Sequence, residues 1–180
     1  MLLRSYAAHN TLEDIKAKIW EAARATSAAT SFFDPIIIQG MGFVDGALGA
    51  NNPIGYLWNE AQNIWCDDEV GLPQKLNCYV SIGTGNPGIK PVGTKKLTQV
   101  FQTLADIATQ TVETADSFAD THRQVRKDGR YYRFDVSHGL ELVELKEYKR
   151  QSLIQQATRK YMHRMDGSSQ ACAKALAARV

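Results

Sequence analysis

Asp45 is the residue best placed in the sequence to do acid–base chemistry. It follows the short apolar pair Phe43-Val44 and opens Asp45-Gly46-Ala47, inside the segment FVDGALGANNP. An Asp-Gly pair after an apolar run is commonly a plain turn, because both residues tolerate positive φ. The flanking residues add something to that. Further glycine, two adjacent asparagines and Pro53 follow within a few positions. Asn51-Asn52-Pro53 has the form of an N-cap with proline at the first helical position. Such a segment can hold a carboxylate rigidly at a strand end, facing a helix N-terminus. Strand ends are where open α/β sheets place their chemistry, and a carboxylate there can serve as general base.

Other candidate chemistry is thinner. Cys66, Cys78 and Cys172 are sparse, with no Cys-x-x-Cys, and His9, His122, His138 and His163 are scattered. This pattern predicts free thiols in a reducing compartment, with neither a disulfide scaffold nor a zinc site. Gly83-Thr84-Gly85-Asn86-Pro87-Gly88 is a formal G-x-G-x-x-G after a strand. A dinucleotide site needs the last glycine to open a helix. Pro87, Pro91 and Gly93 delay any helix to about Thr94, so the segment is expected to be a strand-end loop. Ser81 and Thr84 would satisfy its backbone groups. Arg24 falls near a helix C-terminus, where a cation is favoured, as a cap or surface ion pair. His138, beside Gly139, is expected to be an exposed turn residue.

The elements that must carry these residues are legible as alternating patterns. Thr11-Leu12-Glu13-Asp14 has the form of a helix start, and Leu12, Ile15, Ile19 and Trp20 keep helical spacing to about Thr26-Ser27. Ile36-Ile37-Ile38 predicts a strand, Gln39 to Gly42 a turn, and Phe43-Val44 a second strand ending at Asp45. A helix is expected from about Pro53 to Trp65, a loop over 67–76, and a buried strand over Cys78–Ile82. Val100 to Phe118 keeps a 3.6-residue beat. Asp128-Gly129 marks a turn, Tyr131 to Val136 alternates like an edge strand, and Leu153, Ile154, Ala157 and Tyr161 mark a late helix. Trp20, Trp58 and Trp65 sit on apolar helical faces and are expected in the core.

Strands and helices interleave, so the class is α/β. Only three or four strands are visible, few for a closed α/β sheet. The chain has 180 residues with 44% hydrophobic and 22% charged, enough for a core. A net charge of +2 gives no reason to expect a nucleic-acid partner. No apolar run approaches a membrane span, and the N-terminus lacks a secretory pattern. The expectation is a soluble, cytoplasmic chain whose contact with membranes is peripheral.

Three blocks together carry a resemblance. WEAARATSAATSFFDP (Trp20 to Pro35), FVDGALGANNP (Phe43 to Pro53) and VSIGTG (Val80 to Gly85) closely resemble, in order and at their gaps, the later part of patatin-like phospholipase domains. The fungal-type branch is the most similar, and the match runs over most of residues 2 to 163. The resemblance implies an incomplete patatin-like three-layer α/β/α sandwich with C-terminal helices. It divides the chain into 1–66, the part with the Asp-Gly-Ala motif; 67–163, the remaining strand, the long helix and the late helix; and 164–180, an Ala-rich tail.

It also implies a Ser-Asp dyad that hydrolyses lipid acyl esters. A serine in a Gly-x-Ser-x-Gly elbow attacks the ester carbonyl, Asp45 takes its proton, and Gly46 and Ala47 complete the motif. No metal or organic cofactor is implied. The sequence departs from the pattern in one respect: these 180 residues hold no Gly-x-Ser-x-Gly. The family puts that elbow and the oxyanion loop ahead of the matched stretch. The chain is therefore expected to be the downstream part of a catalytic domain, inactive alone. The alternative is a non-catalytic binding module, with a protein partner covering the incomplete sheet.

Overall fold

A computed structural model describes residues 1–7, 15–29, 32–66, 71–85, 99–141, 143 and 148–178; the side chains of Leu48 and of 99–109 lie outside that description. The chain divides into two compact units, Met1–Asn51 and Asn52–Val180. Together they make an α/β chain, and an incomplete one. Among the described residues the strands form two separate two-stranded sheets.

The first unit opens with helix α1 (Ile19–Thr26). The helix expected from Thr11 starts instead at Ile19. Thr11–Asp14 lie outside the described residues, and Lys18 is extended. The start signal that operates is Glu21, whose Oε2 accepts the Lys18 backbone N–H at 2.7 Å. That is half of a capping box. At the other end, the hydroxyls of Thr26 and Ser27 both donate to the Ala23 carbonyl, at 3.1 and 2.8 Å. Such local bonds compete with helix continuation.

Strands β1 (Ile36–Ile38) and β2 (Met41–Phe43) form an antiparallel hairpin, with Ile38 opposite Met41. The turn is only Gln39-Gly40, both at positive φ (50° and 82°). This is the primed two-residue geometry that matches strand twist. It is tighter than the Gln39–Gly42 turn the sequence suggests, so β2 starts two residues earlier. Nothing lies within 4 Å of a Cβ built on Gly40, so glycine is needed there for φ and not for room. Ile15, Ala25 and Ile38 make this unit's core, with Leu3, Ala17, Ile36 and Phe43 against it. One further turn of helix, α2 (Ala47–Ala50), follows β2.

The second unit begins with α3 (Ile54–Trp65), close to its expected bounds. Short α4 (Leu72–Lys75) falls where a loop was expected. Strand β3 (Tyr79–Ile82) leads by way of α5 (Gln99–Thr121) and α6 (Arg123–Lys127) to β4 (Tyr131–Phe134). The two strands pair in parallel, Tyr79 with Tyr131 through Ile82 with Phe134. A parallel pair requires such a crossover. A 3₁₀ turn (Tyr148–Arg150), α7 (Gln151–Arg164) and α8 (Asp166–Ala177) complete the chain.

The main core holds Ile54, Trp58, Ala61, Leu72, Tyr79, Phe118 and Val125. Its centre is aromatic: the Trp58 ring meets those of Tyr79 and Phe118 edge-on, with centroids 5.6 and 5.5 Å apart. The Tyr79 hydroxyl donates to the Ile54 carbonyl at 2.7 Å, which satisfies the one polar atom this ring buries. Trp58 thus fulfils its core expectation. Trp20 and Trp65 do not, at 61% and 57% exposed. Among the described residues no helix is long and apolar enough to cross a membrane.

Candidate functional site

Asp45 lies in the first unit, two residues past the end of β2. Its backbone N–H donates to the carbonyl of Ala28 at 3.0 Å, which ties the residue to the segment after α1. Its carboxylate is held through Oδ1, which accepts the Ala47 N–H at 2.9 Å. Among the described residues Oδ2 has no hydrogen-bond partner. The group is half-buried. The result is a carboxylate of fixed orientation with an oxygen left to take a proton.

The element that meets this carboxylate is α2, and the sequence missed it. Four residues, Ala47–Ala50, are too few for a periodic signal. The expected partner was the helix near Pro53, capped by Asn51-Asn52. Asn52 plays another part: its Nδ2 donates to the Thr111 carbonyl at 3.2 Å, inside the second unit, and α3 has no side-chain cap.

Gly46 adopts φ −69°, ψ 2°, which any residue can adopt. A Cβ added there would meet Ala50 Cβ at 3.5 Å, an ordinary contact. Neither backbone strain nor crowding inside this unit demands glycine at position 46.

Arg24 departs from the simple cap expected. Its guanidinium donates to the Asp34 carbonyl at 2.6 Å and lies over the Phe33 ring, 5.4 Å from the centroid. It ties α1 to the bend before β1 and so braces the hairpin that ends at Asp45.

In the second unit, the VSIGTG block ends β3 in a network that the sequence reading did not foresee. Arg133 donates to Ser81 Oγ at 2.8 Å and to Asp135 Oδ2 at 2.7 Å. Asp135 Oδ1 accepts the Gly85 N–H at 2.8 Å. A Cβ on Gly83 would collide with the Asp135 carboxylate and the Arg133 guanidinium. Ser81 therefore accepts from a side chain, and among the described residues no bond from its hydroxyl to the loop backbone is seen. The available signal was the i, i+2 spacing of Arg133 and Asp135 along an alternating strand, which puts both on one face. Asn86 to Gly88 of the formal G-x-G-x-x-G lie outside the described residues.

His138 is exposed, as expected, with Nδ1 3.8 Å from Glu141 Oε1. Among the described residues no group of three or more His, Cys, Asp or Glu is placed to hold a metal.

Comparison with known proteins places this chain in a family. Residues 5–58 match the family model for patatin-like phospholipases, and this stretch contains Asp45, Gly46 and Ala47. Phospholipase A I of Arabidopsis thaliana is 33% identical over 133 residues, 72% of this chain. Calcium-independent phospholipase A2-gamma of Mus musculus is 29% identical over 161 residues, 88% of this chain. The Homo sapiens protein of that name is 38% identical over 68 residues. The chain belongs to the patatin-like phospholipase family. It spans about a tenth of the length of the Arabidopsis protein and a fifth of the mouse protein. No solved structure matches it.

Proposed function

We propose that this chain forms the aspartate-bearing part of a lipid acyl hydrolase, with Asp45 as general base to a serine nucleophile. The observation that carries this is the Asp45 carboxylate, anchored through Oδ1 on the Ala47 N–H and with no partner at Oδ2 among the described residues, in an Asp-Gly-Ala motif within the matched stretch.

In this reading Asp45 accepts the serine hydroxyl proton as the serine oxygen attacks the ester carbonyl. The tetrahedral oxyanion collapses, the proton passes to the departing alcohol, and an acyl-serine remains. Water, deprotonated by Asp45, then releases the fatty acid. The Ala47 N–H holds the carboxylate while it is charged. Phospholipid or neutral-lipid acyl esters, met at a membrane surface, are the substrate class.

These residues supply the base and no Gly-x-Ser-x-Gly nucleophile. Losing the nucleophile of a serine hydrolase costs on the order of 10⁶ in rate. The purified 180-residue chain should therefore hydrolyse a soluble acyl ester at background rate, unchanged by Asp45→Asn. Hydrolysis well above background that disappears with Asp45→Asn would show that a serine within the chain already partners Asp45.

The exposed apolar side chains of the first unit favour a second reading, a non-catalytic module that binds a protein partner. Exposed Trp20, Phe33 and Ile37 in the first unit would be the surface such a partner covers. Dimer formation or capture of a partner by a chain without hydrolytic function in any assembly would support it.

A further inference from the structure

Cys78 and Cys172 stand 94 positions apart in the sequence, yet their sulfurs are 3.8 Å apart. Cys78 immediately precedes β3, and Cys172 is buried in the middle of α8. Both belong to the second unit. A separate contact holds the same junction, since Asn77 Nδ2 donates to the Ala178 carbonyl at 3.0 Å. The Tyr132 phenol, on the neighbouring strand, is pushed up by burial and then by the two thiols. The last helix is thus docked on the start of β3 by a thiol pair and an amide. The third cysteine, Cys66, ends α3 and is not part of this pair.

We propose that Cys78 and Cys172 are a redox-modification site, oxidised by hydrogen peroxide to a disulfide that staples α8 to the start of β3. The sulfurs must close by about 2 Å to reach bonding distance, a movement within reach of side-chain rotation with a small shift of α8. Cys78 is the more accessible of the two and reacts first. Its thiolate attacks one peroxide oxygen, the O–O bond breaks, and with one proton taken up the products are Cys78 sulfenic acid and water. The Cys172 sulfur then attacks the sulfenic sulfur and expels the second water. Two thiols are oxidised and one peroxide is reduced to two waters. Two equivalents of a small thiol reverse the reaction by exchange.

Burial, and then the hydrogen bond with Cys172, pushes the Cys78 thiol up to about 11. Cys78 therefore rests as a neutral thiol at neutral pH, and the pair answers to excess oxidant. Closing a long loop restricts the unfolded chain, so the staple also raises stability.

The test treats the purified chain with hydrogen peroxide and counts its thiols after denaturation. The expected count falls from the three of the sequence to one, with a mass lower by about 2 Da for the bond formed. Peptide mapping should join the Cys78 and Cys172 peptides. Dithiothreitol should restore all three thiols, and the oxidised form should melt several degrees higher. Cys172→Ser should abolish the crosslink; mapping of the wild-type chain decides the matter even where that variant folds poorly. Oxidation of Cys78 to a sulfinic acid without a crosslink, or consumption of Cys66 in place of the pair, would overturn the proposal.

Discussion

Asp45 shows how far a single residue can be read from its neighbours. Asp-Gly after two apolar residues predicts a turn, and the turn is there. The Oδ1 bond to the Ala47 N–H depends on a one-turn helix that no periodicity reveals. The three tryptophans show the complementary gap. Helical spacing tells which face a side chain shares, not whether anything covers that face. Trp58 is covered by Tyr79 and Phe118, whereas Trp20 and Trp65 remain exposed.

Two predictions belong to this scale. Gly46 has ordinary backbone angles and room for a methyl group. Gly46→Ala should leave thermal stability unchanged or raise it by less than about 1 kcal/mol. A large loss in a melting experiment would mean that glycine there is a packing requirement. His122 lies against Trp58 and Phe118, with centroids at 4.1 and 4.4 Å, and burial lowers its pKa. The unfolded chain then binds the proton first as pH falls below about 6.5. Stability from this group is full above that value and declines toward the lower folded pKa. Urea midpoints at pH 7.5 and 5.5 should show that decline, and His122→Phe should reduce it.

At the scale of elements, β1, α3, β3, α5, β4 and α7 were legible because each is long enough, or regular enough, to show a period. Short α2 and α4 were not. Helix α1 starts at Ile19, where Glu21 accepts the Lys18 N–H, a signal that the apolar spacing from Leu12 does not reveal; Thr11–Asp14 lie outside the described residues. Long-range polar links were also beyond local pattern. Arg133, Asp135 and Ser81 join two parallel strands whose pairing nothing local encodes. Asp135→Ala would remove the acceptor of the Gly85 N–H and leave a largely buried Arg133 without its carboxylate. The expected loss is about 1–3 kcal/mol, with faster amide exchange at Gly85. Unchanged exchange there would show that the loop is held by something other than this network.

For the whole molecule, interleaved strands and helices gave the α/β class, and the scarcity of strands announced an incomplete sheet. Among the described residues, two two-stranded sheets in two units are the outcome. The boundary between the units falls between Asn51 and Asn52, within a segment that reads as one continuous motif. Asp45 and the glycine-rich strand end therefore belong to different compact bodies. The family-model match over residues 5–58 falls largely in the first, whereas the likeness to the mouse protein covers 88% of the chain.

The claim that Asp45 is a catalytic base is tested most directly by transplanting this chain. Its residues would replace the 161-residue match in mouse calcium-independent phospholipase A2-gamma, and phospholipid hydrolysis would be measured with and without Asp45→Asn. The account predicts an active chimera whose rate falls by on the order of 10³–10⁴ with Asp45→Asn, at unchanged thermal stability. An active chimera indifferent to Asp45→Asn would contradict it.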